Sequence, residues 1–227
     1  MAAAAAAVLV LWVVPFAKLV RHPFLLPLAL PGRAILLALV PLLLLLVPPD
    51  WMLKMGKDNG VAVAALVGAK EHAIKQVEAG VDLVVVSGTE GGGHCGSVST
   101  MVLVPEVRRA LKPYGKIPIL AAGGIATGEQ MAGIMAMGAD GVWCASVFLT
   151  TSEAETSENI KEKMVSATSS QTVRSKSRTG KHSRQLQTPW TDAWEAKGAP
   201  EPLPMPLQTM VSEPALKVIR DQAEIGH

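Results

Sequence analysis

Cysteine, aromatic residues and net charge are all scarce in this sequence of 227 residues. The two cysteines, Cys95 and Cys144, are too few for a disulfide-rich secreted scaffold or for a zinc cluster built from thiolates, and we expect no metal site. A formal net charge of +2 at pH 7 is too small to drive nucleic-acid binding by bulk electrostatics, so we expect no nucleic-acid partner. Charged residues make up 18% of the chain, below the roughly 25% that is usual.

The shortage of charge is concentrated in residues 1–47, which contain the apolar runs Ala2–Val14 and Phe24–Val47. Extended to Val20, with Lys18 near its end, the first run approaches the roughly 20 residues that a bilayer-spanning helix needs. Two interpretations stay open. Residues 1–47 form a membrane anchor or hairpin, or they are a low-complexity extension without chemistry, joined to a cytoplasmic domain. The only basic or imidazole side chains in the segment are Lys18, Arg21, His22 and Arg33.

From about residue 50, apolar segments of strand length alternate with helical segments. Continuous apolar runs predict buried parallel strands at 61–67, 82–86, 117–121 and 141–144. The intervening segments predict helices at 69–79, at 105–111 with Pro105 in the first turn, and at 131–137 behind a Thr127–Gln130 capping box. This alternation predicts an α/β fold, with the sheet either doubly wound or part of a (β/α)8 barrel.

A C-terminal extension begins at about residue 170 and shows no strand pattern, so we expect it to be helical or irregular. Just before it, Ser152 is a candidate cap for a helix that extends to about residue 167. Trp190 and Trp194 are four residues apart and should share a helix face. The basic stretch at 174–184 has no interleaved aromatics, and we expect a solvated surface or pairing with glutamates.

Glycine-rich or small residues follow three of the predicted strands. Ligands of parallel α/β folds bind at the carboxyl ends of the strands, where glycine lets backbone N–H groups approach an anion. We therefore predict a phosphate site there; the alternative is that the glycines only turn the chain. The segments concerned are Gly91–His94, Gly123-Gly124 and Trp143–Ser146.

His94 follows the first of these glycine runs. Histidine titrates near neutral pH and can accept a carbon-bound proton as a general base. The alternative role for His94 is a hydrogen bond to loop backbone. Cys144, inside an apolar segment, is most simply a small core residue.

Taken together, these segments resemble the C-terminal half of the nitronate monooxygenases, which are FMN-dependent (β/α)8 barrels. The resemblance covers about residues 50–215 and places the last four strand–helix units of such a barrel in residues 48–227. The runs that carry it are Ala79–Val84, Gly88–His94, Ala121–Ile125, Met137–Val142, Thr179–Leu186 and Trp190–Trp194.

The resemblance implies an FMN cofactor and a small-molecule substrate. The reaction it implies is oxidation of an alkyl nitronate by O2 to a carbonyl compound and nitrite, with His94 as the matching catalytic histidine. It assigns the FMN phosphate to Gly123, Gly124, Trp143, Cys144, Ala145 and Ser146, and the flavin border to Ser87, Gly92 and Gly93.

This sequence departs from the family pattern in three respects. Ser87 stands where many members have glutamine, and Ala145 replaces a usual glycine. Residues 1–47 show none of the patterns of the family's first half, so we expect a half-barrel with an open edge. Three outcomes stay open: it pairs with another half, such as a second copy, its edge is covered by the apolar N-terminus, or it does not fold productively. The alternative functions are a flavin-dependent enoyl reductase and an inactive, membrane-associated remnant of the family.

Overall fold

A computed structural model describes residues 9–10, 48 and 50–224 of the chain. They belong to two compact units, the first made of residues up to 88 together with 97–144, the second of 89–96 together with the residues from 145 onward. The strands are β1 (Leu9–Val10), β2 (Ala64–Val67), β3 (Leu83–Ser87), β4 (Gly93–His94), β5 (Ile119–Ala122), β6 (Gly141–Cys144), β7 (Thr172–Ser175) and β8 (Ser183–Leu186). The α-helices are α1 (Asp50–Asp58), α2 (Lys70–Ala79), α3 (Thr100–Ala110), α4 (Gly128–Ala136), α5 (Glu158–Ser166), α6 (Pro189–Glu195) and α7 (Leu207–Glu224).

The first unit is built on a five-stranded sheet with the order β1-β6-β5-β3-β2. All of its neighbouring strands are parallel. The sheet confirms the predicted α/β fold, and its strands β2, β3, β5 and β6 fall within or beside the four apolar runs. Their continuous apolar sequences suit a sheet buried on both faces.

Strand β3 shows why this sheet needs apolar residues on both faces, because all five of its residues are buried. Val84 and Val86 belong to the larger core cluster, which also contains buried side chains of α3. Leu83 and Val85 belong to a smaller cluster that includes Ala122. Burying each valine or leucine contributes roughly 1.5–3 kcal/mol to folding, so this strand anchors the unit.

Helix boundaries follow local capping where the sequence supplies it. Thr127 forms the predicted capping box with Gln130 at the start of α4. In contrast, α3 begins at Thr100 rather than at Pro105, which lies inside the helix. Because Leu103 is fully buried in the core, packing offsets the hydrogen bond that the proline cannot make.

The second unit contains a three-stranded antiparallel sheet with the order β4-β8-β7. Strands β7 and β8 correct the expectation of a purely helical or irregular extension. Their sequences, TVRS and SRQL, are polar and short, so neither carries a hydrophobic pattern. Polar side chains are buried here as well, and Gln208 of α7 donates to the Ser177 carbonyl at 2.8 Å.

Two further predictions concern helices of the second unit. Helix α5 begins after Ser157, and Ser152 does not cap it, which corrects the expected start. The rings of Trp190 and Trp194 share a face of α6, as expected, with centroids 5.9 Å apart.

None of the helices in the described part of the chain is long and apolar enough to cross a membrane. The anchor interpretation concerned residues 1–47, which lie outside the described residues apart from 9–10 and so stay untested.

Candidate active site

The carboxyl ends of three neighbouring strands align in the first unit. Ser87 of β3 lies opposite Ala122 of β5, and Ala122 lies opposite Trp143 of β6. Gly123 and Cys144 each follow directly in the chain, so this register brings the predicted residues of these strand ends to one edge of the sheet. That edge is where ligands of parallel α/β folds bind.

The two glycines after β5 have backbone conformations that favour glycine. Gly123 has a φ of 94° and Gly124 a φ of 72°, both in the left-handed region. They precede α4, which begins at Gly128, and Gly124 is exposed to solvent. Exposed backbone in a Gly-Gly turn at a strand end can present N–H groups to an anion.

Hydrogen bonds within the first unit hold the carboxyl ends of β5 and β6 in place. The thiol of Cys144 donates to the Ile125 carbonyl at 3.4 Å, which joins the end of β6 to the turn after β5. The Thr100 hydroxyl, at the start of α3, donates to the Ala122 carbonyl at 3.3 Å. Burial raises the pKa of the Cys144 thiol, which disfavours the thiolate that a nucleophilic cysteine requires.

In the second unit, the glycine run before His94 is held against β8. The Arg184 guanidinium donates through Nε to the Thr89 carbonyl at 2.8 Å, and the backbone of Gly93 pairs with that of Arg184. A Cβ added to Gly92 would lie 2.5 Å from the Ser146 Oγ atom. A side chain at 92 would therefore require the Ser146 hydroxyl to move aside.

His94 makes one defined side-chain contact in this unit. Its Nε2 atom lies 2.8 Å from Oγ1 of Thr179, on the turn between β7 and β8. The backbone of His94 pairs with Ser183 of β8, and Cys95 N–H donates to the His182 carbonyl at 3.2 Å. Backbone pairing and a side-chain hydrogen bond together fix the position of the imidazole.

The environment of His94 favours its neutral form. Burial lowers the pKa of His94, and the positive charges of Lys181 and Arg178 lower it further. A neutral imidazole at neutral pH can accept a proton, which is the state that a general base requires.

The comparisons with known proteins agree with these features. The family model described as nitronate monooxygenase matches residues 44–226, which is most of the chain. The chain belongs to the nitronate monooxygenase family.

Three relatives illustrate how similar this nitronate monooxygenase family member is to known proteins. The chain is 54% identical over 180 residues to "Putative monooxygenase Rv1533" of Mycobacterium tuberculosis, covering 79% of this chain and 47% of that protein. It is 35% identical over 153 residues to a "(3aS,4S,5R,7aS)-5-hydroxy-7a-methyl-1-oxo-octahydro-1H-indene-4-carboxyl-CoA dehydrogenase" of Rhodococcus jostii. This match covers 67% of this chain and 42% of that protein. Among solved structures, a nitroalkane oxidase from Streptomyces ansochromogenes is similar with 25% identity and a TM-score of 0.64, covering 74% of this chain and 49% of that one. The chain thus spans about half the length of the relatives it matches.

Within this nitronate monooxygenase fold, most of the predicted site residues lie at strand ends or in the loops that follow them. Ser87 is buried, while Gly92, Gly93, Ala145 and Ser146 are exposed. Ala145 has a φ of −127°, so this position does not need the left-handed backbone that favours glycine.

Sequence reasoning did not assign roles to Thr179, Arg184 or Lys181. Each lies in or beside the Thr179–Leu186 run that carried the family resemblance, but 85 residues separate His94 from Thr179. No local spacing connects two positions so far apart, and only the β4–β8 pairing reveals their contact.

Proposed function

We propose that this protein is an FMN-dependent oxidoreductase that oxidises alkyl nitronates or nitroalkanes with O2. The observation that carries the proposal is His94, a histidine kept neutral by burial and two cations and hydrogen-bonded to Thr179. Membership of the nitronate monooxygenase family supports the reaction class. Similarity to a nitroalkane oxidase supports the nitroalkane substrate.

The residues at the strand ends suit the anionic end of FMN. Gly123 and Gly124 supply left-handed, accessible backbone at the end of β5. We propose that their N–H groups hold the phosphate together with the segment Trp143, Cys144, Ala145 and Ser146. In the same proposal, Ser87, Gly92 and Gly93 border the flavin, which supplies the electron transfer to O2 when it is bound.

His94 acts on the substrate's proton in this proposal. Its imidazole accepts the proton from the carbon next to the nitro group, which converts a neutral nitroalkane to its nitronate. The positive charge of Lys181, which acts on His94, also favours binding of the anionic nitronate. Thr179 holds the ring in place for this transfer.

The test combines cofactor loading with two substrates. Full-length protein reconstituted with FMN should show flavin absorbance in the visible and consume O2 with a nitronate. A His94→Ala variant should retain FMN and turn over a neutral nitroalkane much more slowly, by about 100-fold or more, while a preformed nitronate is less affected. Protein that stays colourless with FMN would overturn the proposal.

A second candidate is reduction or oxidation of a thioester substrate by the same bound flavin. It is favoured by the relative from Rhodococcus jostii, which is named for a carboxyl-CoA compound. Turnover of an enoyl thioester with NAD(P)H, in the absence of nitronate-dependent O2 consumption, would identify this function instead.

A further inference from the structure

Two arginines face each other on one side of the β7–β8 hairpin. Arg174 of β7 lies directly opposite Arg184 of β8 in the antiparallel register. Side chains of directly opposite residues project from the same face of a sheet. Arg184 Nη1 donates to Thr172 Oγ1 at 2.8 Å, which identifies that face, since Thr172 and Arg174 alternate with Val173 along β7. Like charges in this arrangement destabilise a hairpin unless an opposite charge lies between them.

The two guanidinium groups differ in their partners. Arg184 is held by its bonds to the Thr89 carbonyl and the Thr172 hydroxyl. The Nε atom of Arg174 is buried, and no acceptor within the described residues lies at hydrogen-bond distance. A buried donor on a charged group that lacks an acceptor is costly, so an acceptor from outside the described residues would stabilise it.

Further positive charge lies beside these arginines. Burial lowers the pKa of His182, and the charges of Arg174 and then Lys176 lower it further, which places both charges near the His182 ring. Glu195 acts on His182 in the opposite sense and more weakly.

The ion pairs of the described residues do not include the two opposed arginines. Within residues 50–224, no ion pair includes Arg174, Lys176 or Arg184. Arg178, on the same hairpin, is instead neutralised by Glu213 at 3.5 Å. The expected pairing of the basic stretch with glutamates therefore holds for Arg178 and not for the opposed arginines.

We propose that this arginine face, made of Arg174, Arg184, Lys176 and His182, binds the phosphate group of a small molecule. A phosphate monoester carries close to two negative charges near neutral pH and offers several acceptor oxygens, which suits two opposed guanidinium groups. The inference rests on the proposed function, in which the arginine face anchors a substrate, or a carrier of the substrate, that bears a phosphate group. The backbone of Arg184 pairs with Gly93, the neighbour of His94, so the anchored molecule would lie near the proposed base.

Calorimetric titration of the full-length protein tests the site with defined probes. Coenzyme A presents a phosphate monoester and a pyrophosphate on an organic carrier, inorganic phosphate presents the anion alone, and a single-stranded DNA oligonucleotide presents phosphodiesters. We expect coenzyme A to bind, more weakly as salt is raised, and Arg174→Gln to weaken it by about tenfold or more. Arg109→Gln, which removes an exposed arginine elsewhere, is the matched control and should leave the affinity unchanged.

Thermal unfolding distinguishes a role of Arg174 in ligand binding from a role in stabilising the fold. Without ligand, Arg174→Gln should melt at the same temperature as the unmodified protein or higher, because it removes a like-charge contact. Bound coenzyme A should raise the melting temperature of the unmodified protein more than that of Arg174→Gln. A variant that melts lower without ligand and binds coenzyme A normally would overturn the proposal.

The other results of the binding titrations also either support or overturn the proposal. Binding of inorganic phosphate but not coenzyme A, with the same dependence on Arg174, would support the site and identify its ligand as free phosphate. Absence of binding by both, or tighter binding of the oligonucleotide than of coenzyme A, would overturn it. Flavin absorbance and nitronate turnover, measured on the same samples, report on the proposed function independently.

Discussion

The Nε2 atom of His94 lies 2.8 Å from the Oγ1 atom of Thr179, although the two residues are 85 positions apart. The bond fixes the plane of the imidazole, and when Nε2 is the donor, Nδ1 carries the lone pair that can accept a proton. Thr179 lies in the turn that follows β7, and α7 supports this turn because the Ser212 hydroxyl donates to the Arg178 carbonyl at 2.6 Å. The C-terminal helix thereby contributes to the position of the proposed base.

Removing the Thr179 hydroxyl should impair proton transfer more than it impairs binding. We expect Thr179→Val to lower kcat on a neutral nitroalkane by about tenfold, since it removes the partner that orients His94. Turnover of a preformed nitronate, which needs no proton removal, should change less. Thr179→Ser keeps the hydroxyl and should restore the rate. Equal kinetics for the valine and serine variants would show that the hydrogen bond plays no part in the reaction.

Loss of Lys181 should shift the pH range over which His94 can act as the proposed base. Burial is the first cause of the lowered pKa of His94, and the charge of Lys181 is the second. A base with a lowered pKa stays unprotonated to lower pH, so activity is lost only as pH falls through that lowered value. Lys181→Gln removes a nearby positive charge and should raise the pKa of His94, which moves the acid limb of the kcat/KM profile upward by a fraction of a pH unit.

The control for this shift is Lys163→Gln, which removes an exposed lysine from α5. That variant should keep the unmodified pH profile. Raised salt should reduce the difference between Lys181→Gln and the unmodified protein, because salt screens charges near the surface. A profile that does not move on loss of Lys181 would leave burial and the charge of Arg178 as the causes of the lowered pKa of His94.

The sequence alone predicted those elements whose bounds are determined by residues adjacent in the chain. Strand β6 occupies the predicted residues 141–144 because GVWC is a short apolar run between Asp140 and the Ala145-Ser146 pair that begins the next loop. The capping box at Thr127 was predictable because both of its hydrogen bonds lie within four residues. The Gly123-Gly124 turn after β5 was recognisable in the same way, from residues adjacent in the chain, and its role in binding phosphate stays a prediction.

Long-range packing decided the features that sequence did not show. Helix α3 extends back to Thr100 because burial of Leu103 and Val104 outweighs the preference of Pro105 for a first turn. Strand β8 is polar, and it forms because it pairs with both β7 and β4. Roles for Thr179 and Arg184 depend on that pairing, so no pattern along the chain reveals them.

Gly124 should be needed for FMN binding as well as for the left-handed backbone conformation of the turn after β5. A side chain at its φ of 72° costs roughly 1–2 kcal/mol, so Gly124→Ala should lower stability by about that amount. If its N–H helps to hold the FMN phosphate, the variant should also bind FMN at least about tenfold more weakly. Flavin titration and thermal unfolding measure the two effects separately.

A matched control exists at Gly60, which has a φ of 64° and open space where a Cβ would lie. Gly60→Ala should therefore lose a similar amount of stability and keep its affinity for FMN. If the two variants bind FMN equally well, the turn after β5 does not contact the cofactor.

Gly88 should be one of the least replaceable positions of the first unit. A Cβ added there would overlap the backbone N and Cα atoms of Thr100, the first residue of α3, and backbone cannot move aside as a flexible side chain can. Such overpacking costs typically 1–3 kcal/mol, so Gly88→Ala should lower the melting temperature by several degrees. Gly128→Ala is the control, because it adds the same methyl group to open space at the start of α4 and should stabilise the protein by up to about 1 kcal/mol. A Gly88→Ala protein that melts with the unmodified one would contradict the close packing of the β3 end against α3, on which the position of Ser87 depends.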